Sequence, residues 1–228
     1  MSKHNKDLNV ILPLRSKSKS IKDKNLLKIG KYPMAIRCIR TILKSRLGDK
    51  IIIATDSEEY IKKIRNFFKN NKKIIYFLRS KKSSLPNAKT EIVINEVINK
   101  VSLNNFNNIL LVQATSPALN HKDLIYGYKK FIKKNYDSMF SCFKSKKFIW
   151  IEKNKKLVSI NYNYKNRPMR QLFKLNLVEN GAFYFFKKNA FKKYNNRLFR
   201  KIGYYVMPEN RSFEIDEPND IKNILNLK

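Results

Sequence analysis

A chain of 228 residues has room for one domain with a real core, and its 43% hydrophobic content excludes a disordered polymer. Its formal net charge of +33 invites a polyanionic partner, yet the cations run along nearly the whole sequence together with abundant Asn and Ile. That dispersal speaks against a protein dedicated to nucleic acid and suits an enzyme with anionic substrates. The first element is an apolar run from Leu8 to Leu14, of the length and type of a strand buried on both faces. It is short and contains Pro13, so neither a signal peptide nor a membrane span is expected. With two cysteines and only His4 and His121, a reducing cytoplasmic setting is expected, and neither a disulfide scaffold nor a zinc cluster.

The run empties into a cationic, hydroxyl-rich loop, Arg15-Ser-Lys17-Ser-Lys19-Ser-Ile-Lys22-Asp-Lys24-Asn25. A strand ending in such a loop is how an α/β sheet commonly holds phosphate. Ile36, Ile39 and Leu43 recur at helical spacing after Pro33, which suits a first helical turn. Ile51 to Ala54 form a short apolar strand, and Asp56 or Ser57 can cap the helix marked by Ile61, Ile64 and Phe68. For Asp56 the capping role is preferred over a catalytic one. A third strand, Ile74 to Leu78, ends at Arg79 and is followed by a polar loop, Ser80 to Lys89, and a helix on Val93, Val97 and Val101.

Asn108 to Val112 read as a fourth strand that delivers Gln113-Ala-Thr115-Ser116-Pro117, with a helix on Leu124, Tyr128 and Phe131 behind it. Strand and crossover helix repeated in this way predict a parallel sheet covered on both faces. Ser138 to Phe143 give the next strand. Phe148-Ile-Trp150-Ile and Leu157-Val-Ser-Ile160 then flank a charged turn and read as a projecting hairpin. Near the end, Glu214 and Asp216 lie two apart, so in extended chain both carboxylates point to one side and suit Mg²⁺. Glu217, Pro218 and Asp220 read as the start of a terminal helix.

Five separated motifs resemble those of the acylneuraminate cytidylyltransferases, which activate acidic sugars. They are Arg15-x-x-Ser18-Lys19-x-Ile21-x-x-Lys24-Asn25, the Gly30-Lys-Tyr-Pro33 step, Gln113-Ala-Thr-Ser-Pro117, Arg170-Gln171 with Asn180-Gly-Ala-Phe-Tyr184, and Glu214-Ile-Asp216. The chain departs from the pattern at Ser16, Lys17 and Ser20, where the family has glycines, and at Ser80, where it has proline after Arg79. It also lacks the arginine that usually follows Pro117 by two.

The resemblance implies a three-layer α/β/α Rossmann-like nucleotidyltransferase fold over residues 1–228, with a mostly parallel sheet. It makes residues 144–175 a dimerisation and sugar-binding insertion carrying a protruding hairpin. It implies transfer of CMP from CTP to a sialic-acid-like nine-carbon sugar acid. In that scheme Arg15, Lys19 and Lys24 gather the triphosphate. Leu14, Ser18, Asn25 and Arg79 bind the nucleotide. Gln113, Thr115, Ser116, Arg167, Arg170, Gln171 and Asn180 meet the sugar, and Glu214 and Asp216 hold Mg²⁺. A homodimer is expected, with no specific nucleic acid and no membrane as partner. The alternatives are a nucleotidyltransferase of the same fold for ketodeoxyoctonate or pseudaminic acid, and a basic nucleic-acid-binding protein.

Overall fold

The computed structural model describes residues 7–18, 20–103 and 105–225. In chain order come β1 (Leu8–Leu14), the short pair β2 (Lys28–Ile29) and β3 (Tyr32–Pro33), α1 (Met34–Ser45), β4 (Ile51–Thr55), α2 (Glu58–Phe67) and β5 (Ile74–Leu78). Next are α3 (Lys81–Ser84), α4 (Thr90–Lys100), β6 (Asn108–Val112), α5 (His121–Lys133) and β7 (Ser138–Ser145). The hairpin β8 (Trp150–Lys153) and β9 (Lys156–Ser159) precedes β10 (Asn176–Lys187), α6 (Lys188–Tyr194), β11 (Ile202–Val206) and α7 (Pro218–Leu225).

Seven strands form one sheet in the order β11-β7-β10-β6-β1-β4-β5. β1 pairs in parallel with both β4 and β6, and β4 with β5. β10 runs antiparallel to β6 and β7, while β11 is parallel to β7. The sheet is therefore parallel apart from β10.

Why β1 is apolar apart from Asn9, whose Oδ1 accepts the Lys50 N–H, follows from its place in the middle. Val10, Leu12 and Leu14 pack with Ile36 and Ile39 of α1, Ile64 of α2 and Phe131 of α5 on one face. Ile11 turns to the other face, among Val93 and Val97 of α4 and Phe191 of α6. Each fully buried residue of this kind contributes about 1.5–3 kcal/mol through removal of apolar surface from water. The three layers and the mostly parallel sheet agree with the sequence reading. No described helix is long and apolar enough to cross a membrane.

Two local expectations change. Ser57, not Asp56, caps α2, its side chain accepting the Tyr60 N–H. The Ser80–Lys89 loop contains the short helix α3, capped by Ser80. β10 runs on from Asn176 through Gly181, which sits at φ +61° within an irregularity of the β7 pairing between Glu179 and Tyr184. Such a bulge re-aims the chain, and a positive φ favours glycine.

Candidate active site

Parallel strands β1, β4, β5 and β6 all end at one edge of the sheet, and β10 begins there because it runs the other way. Gln113 is held at that edge by its N–H donating to the Ala182 carbonyl at 3.1 Å. A cavity of about 340 Å³ opens here, lined among others by Arg15, Ser18, Lys24, Asn25, Arg79 and Gln113. Ligands of open α/β sheets bind outside these carboxyl ends. A larger hollow of about 690 Å³ lies at the opposite edge, where Asn108 and Lys187 mark the other ends of β6 and β10.

The cationic loop is tied down at several points. Ser16 N–H donates to Asp56 Oδ1 at 2.8 Å, and Asn25 Nδ2 donates to the Arg15 carbonyl at 2.8 Å. Arg15 Nη1 donates to the Pro86 carbonyl at 2.8 Å, which draws the loop after β5 over the cavity. Tyr60 O–H donates to Asp23 Oδ1 at 3.1 Å, and the Ser20 hydroxyl donates to the Asp216 carbonyl. Lys19 lies outside the described residues. Leu14 is fully buried in the core, which leaves only its backbone for a ligand.

Arg79 is buried and its Nε has no hydrogen-bond partner among the described residues, although its guanidinium lines the cavity. Burial lowers its pKa; Asp56 and Glu96 counteract this, and Arg15 adds to it. A buried guanidinium with an unmade bond at a cavity wall is poised for an anion or a polar ligand edge.

The acidic pair sits across from these cations. Ile215 is fully buried and its N–H donates to the Thr115 carbonyl at 2.9 Å, so Glu214 and Asp216 flank it on the other side of the strand-like segment. Lys24 Nζ lies 2.8 Å from Asp216 Oδ1. The Glu214 pKa is pushed up to about 7, first by burial and then by the charge of Asp216 and a hydrogen bond with it; Lys24 opposes the shift. Asp220 Oδ2 accepts from the N–H groups of Asp216 and Glu217, which opens α7 as expected for helix-start chemistry.

The other expected residues divide into two groups. Gln113 and Thr115 line the cavity, and Ser116 is buried beside them with its hydroxyl unpartnered among the described residues. Asn180 is buried, donating to Ser212 Oγ at 2.9 Å, which joins the β10 bulge to the acidic segment. Arg167, Arg170 and Gln171 are exposed on the segment after the hairpin, away from the cavity wall; Arg167 stacks 4.4 Å from the Phe148 ring centroid. Asp56, Asn87 and Thr90 were not expected as part of the site. The Ser80–Lys89 polar run was the only signal for Asn87. Arg37, from α1, donates to the Pro117 carbonyl at 2.6 Å and steadies the loop that lacks an arginine of its own.

The protein supplies two adjacent carboxylates at the edge where the cations converge. One or two carboxylates completed by phosphate oxygens and water are what Mg²⁺ ordinarily takes, so the residues fit it.

The model of the cytidylyltransferase family matches residues 9–228. N-acylneuraminate cytidylyltransferase A of Danio rerio is 29% identical over 92% of this chain, which spans about half (48%) of that relative's length. The pseudaminic acid cytidylyltransferase of Campylobacter jejuni is 26% identical over 93% of this chain and 92% of its own. A CMP:2-keto-3-deoxy-manno-octonic acid synthetase complexed with CTP shares the fold, with a TM-score of 0.68 at 14% identity over 96% of this chain and 97% of that one. A single family thus accounts for nearly the whole sequence, and its fold for the sheet edge at which cations and carboxylates meet: the chain belongs to the cytidylyltransferase family of nucleotidyltransferases.

Proposed function

We propose that the protein transfers CMP from CTP to the anomeric hydroxyl of a sialic-acid-like nonulosonic acid, releasing pyrophosphate. The observation that carries this reading is the convergence of Arg15, Lys24 and Arg79 on one cavity with Glu214 and Asp216 beside it. In the reaction the hydroxyl oxygen bonds to the α-phosphorus, the bond to the bridging oxygen breaks, and pyrophosphate leaves with the electron pair. The hydroxyl proton passes to solvent.

Arg15, Lys19 and Lys24 gather the triphosphate, while Asn25 and Ser18 shape the loop around it. Arg79 meets the nucleotide at the buried wall. Gln113, Thr115 and Ser116 stand where the β6 strand would present the sugar acid, with Asn180 supporting them from the bulge. Arg167, Arg170 and Gln171 would take the sugar carboxylate and hydroxyls, since a guanidinium forks a carboxylate and an amide matches hydroxyls. Catalysis is positioning plus charge neutralisation, without a covalent enzyme intermediate. Glu214 and Asp216 would hold Mg²⁺, which when bound neutralises charge on the triphosphate.

The same reading assigns a second copy of the chain as what covers the hairpin. Trp150 and Leu157 on one side of the hairpin and Ile151, Val158 and Ile160 on the other are all exposed, a concentration of apolar surface unusual for a monomer. A homodimer would bring the exposed Arg170 segment of one subunit toward its neighbour.

Pyrophosphate release tests the reaction directly. CTP with a panel of N-acetylneuraminic, legionaminic and pseudaminic acids and ketodeoxyoctonate should react with at least one nine-carbon acid, with ATP and GTP poor. Equal use of all nucleotides would sink the cytidylyl assignment, and reaction with ketodeoxyoctonate alone would sink the nonulosonic one.

A further inference from the structure

The acid that closes β4 has no task in its own helix. Ser57 supplies the α2 cap through its hydroxyl, and the Ser57 N–H turns back to Thr55 Oγ1 at 3.3 Å. Asp56 is thereby released from local work, half-buried and facing the start of the cationic loop. Its Oδ1 accepts the Ser16 N–H at 2.8 Å across a sequence separation of forty residues. An ionised acceptor makes such a bond shorter and roughly twice as strong as a neutral one.

The neighbouring strand adds a second connection. Arg79 N–H donates to the Thr55 carbonyl at 2.8 Å, so the buried arginine emerges directly beside Asp56. Arg15 and Arg79 face the same cavity and repel each other, and the two side chains have no carboxylate ion partner among the described residues. Of the charges acting on Arg79, that of Asp56 is the strongest. Further along, Tyr60 in the first turn of α2 grips Asp23 at the far end of the loop. The β4–α2 junction therefore grips the loop at both ends, at Ser16 and at Asp23.

We propose that Asp56 is a positioning residue for nucleotide binding: through the Ser16 N–H it fixes the root of the cationic loop that carries Arg15, and through its charge it keeps Arg79 beside that loop on one cavity before the nucleotide arrives. The chain has serine or lysine at loop positions 16, 17 and 20, so backbone freedom there is restricted and an external anchor sets the loop path. Holding binding groups in place beforehand removes an ordering cost from the binding step. The role rests on the nucleotide reading above.

The test compares wild type with Asp56→Ala and with Asp56→Asn, which keeps a side-chain oxygen for the Ser16 N–H. Asp56→Ala should raise the KM for CTP at least tenfold while kcat and the KM for the sugar acid change less than threefold. Asp56→Asn should recover more than half of that loss on a logarithmic scale. Without any nucleotide, amide exchange at Ser16 should be slow in wild type and at least tenfold faster in Asp56→Ala. If wild type binds CTP and Asp56→Ala binds it equally well, or loses only kcat in step with its melting temperature, the positioning role is overturned alone. If wild type binds no CTP by calorimetry, the nucleotide reading falls and takes this role with it.

Discussion

Lys24 and Asp216, 192 residues apart in sequence, meet in an ion pair of 2.8 Å at the edge of the sheet. Lys24 is largely buried and Asp216 largely exposed, so the pair joins the end of the cationic loop to the acidic segment rather than decorating the surface. The Ser20 hydroxyl on the Asp216 carbonyl repeats the connection through the backbone. The two sides of the proposed metal–triphosphate site are thus already linked through protein atoms.

Removal of either carboxylate should damage chemistry more than folding. Asp216→Ala is expected to lower turnover about a hundredfold, on the order of 3 kcal/mol at the transition state. Its exposed side chain leaves no cavity, so stability should change by less than about 1 kcal/mol. Glu214→Ala should be milder and partly rescued by extra Mg²⁺. Turnover measured beside melting temperature decides; loss of activity only in proportion to unfolding would remove the metal role.

Glu214 makes stability depend on pH with a definite sign. Its folded pKa, raised to about 7, lies above its unfolded value. The folded state therefore binds the extra proton, and the associated stability is complete below the ordinary carboxylate range and lost as pH rises through about 7. Without Mg²⁺, Glu214→Gln should melt higher than wild type at pH 8 and match it at pH 4. A gain of about 1 kcal/mol, or about 2–4 °C, is the expected scale after allowing for solvent. Added Mg²⁺ should stabilise wild type at pH 8 and the variant much less. Identical melting of the two proteins at pH 8 would contradict this assignment.

Gly181 is expected to tolerate no side chain. Its φ is +61°, and a Cβ there would overlap Glu214 Oε1 and lie 2.8 Å from Gln113 Oε1. Gly181→Ala should cost roughly 1–3 kcal/mol through backbone strain alone. It should also raise the Mg²⁺ concentration needed for half-maximal rate, because Glu214 must move. Unchanged metal dependence in a folded variant would show that Glu214 takes no part in it.

The hairpin should behave as an interface through the exposed apolar residues on both its sides. Leu157 is 70% exposed and lies opposite Glu152 on the paired strand. Leu157→Lys with Ile160→Asp should convert a dimer to a monomer in sedimentation velocity at micromolar concentration, with little change in melting of the main domain. A wild-type monomer with full activity would refute the second copy as its cover.

Much of the architecture is legible in the sequence because burial leaves a plain mark. β1, β4 and β6 are buried on both faces and read as mostly apolar runs, with polar residues only at Asn9, Thr55 and Asn108. The first half of β10 is not: Asn176 to Glu179 pair with β7 but remain partly or fully exposed, so no apolar pattern announces them. Asp56 and Ser57 are equally good caps by composition. What separates them is Ser16, which folding brings beside Asp56 from forty residues away, a relation no local pattern encodes. Arg37 is silent in the same way, since its partner is a backbone carbonyl on another element. That Glu214 and Asp216 come together was readable because their two-residue spacing is itself the geometry.

β10 enters the sheet against the direction of its neighbours, and Asn176 at its start is paired with Ser145 at the end of β7. Opposed residues of an antiparallel ladder lie only about 5 Å apart. The thirty residues 146–175 therefore leave and rejoin the sheet through a single narrow doorway. They form an exchangeable cassette: its length and contents can drift, or be swapped by design, while the strand register behind it stays fixed. If Arg167, Arg170 and Gln171 take the sugar as proposed, selectivity can change within this cassette without rebuilding the nucleotide half of the molecule.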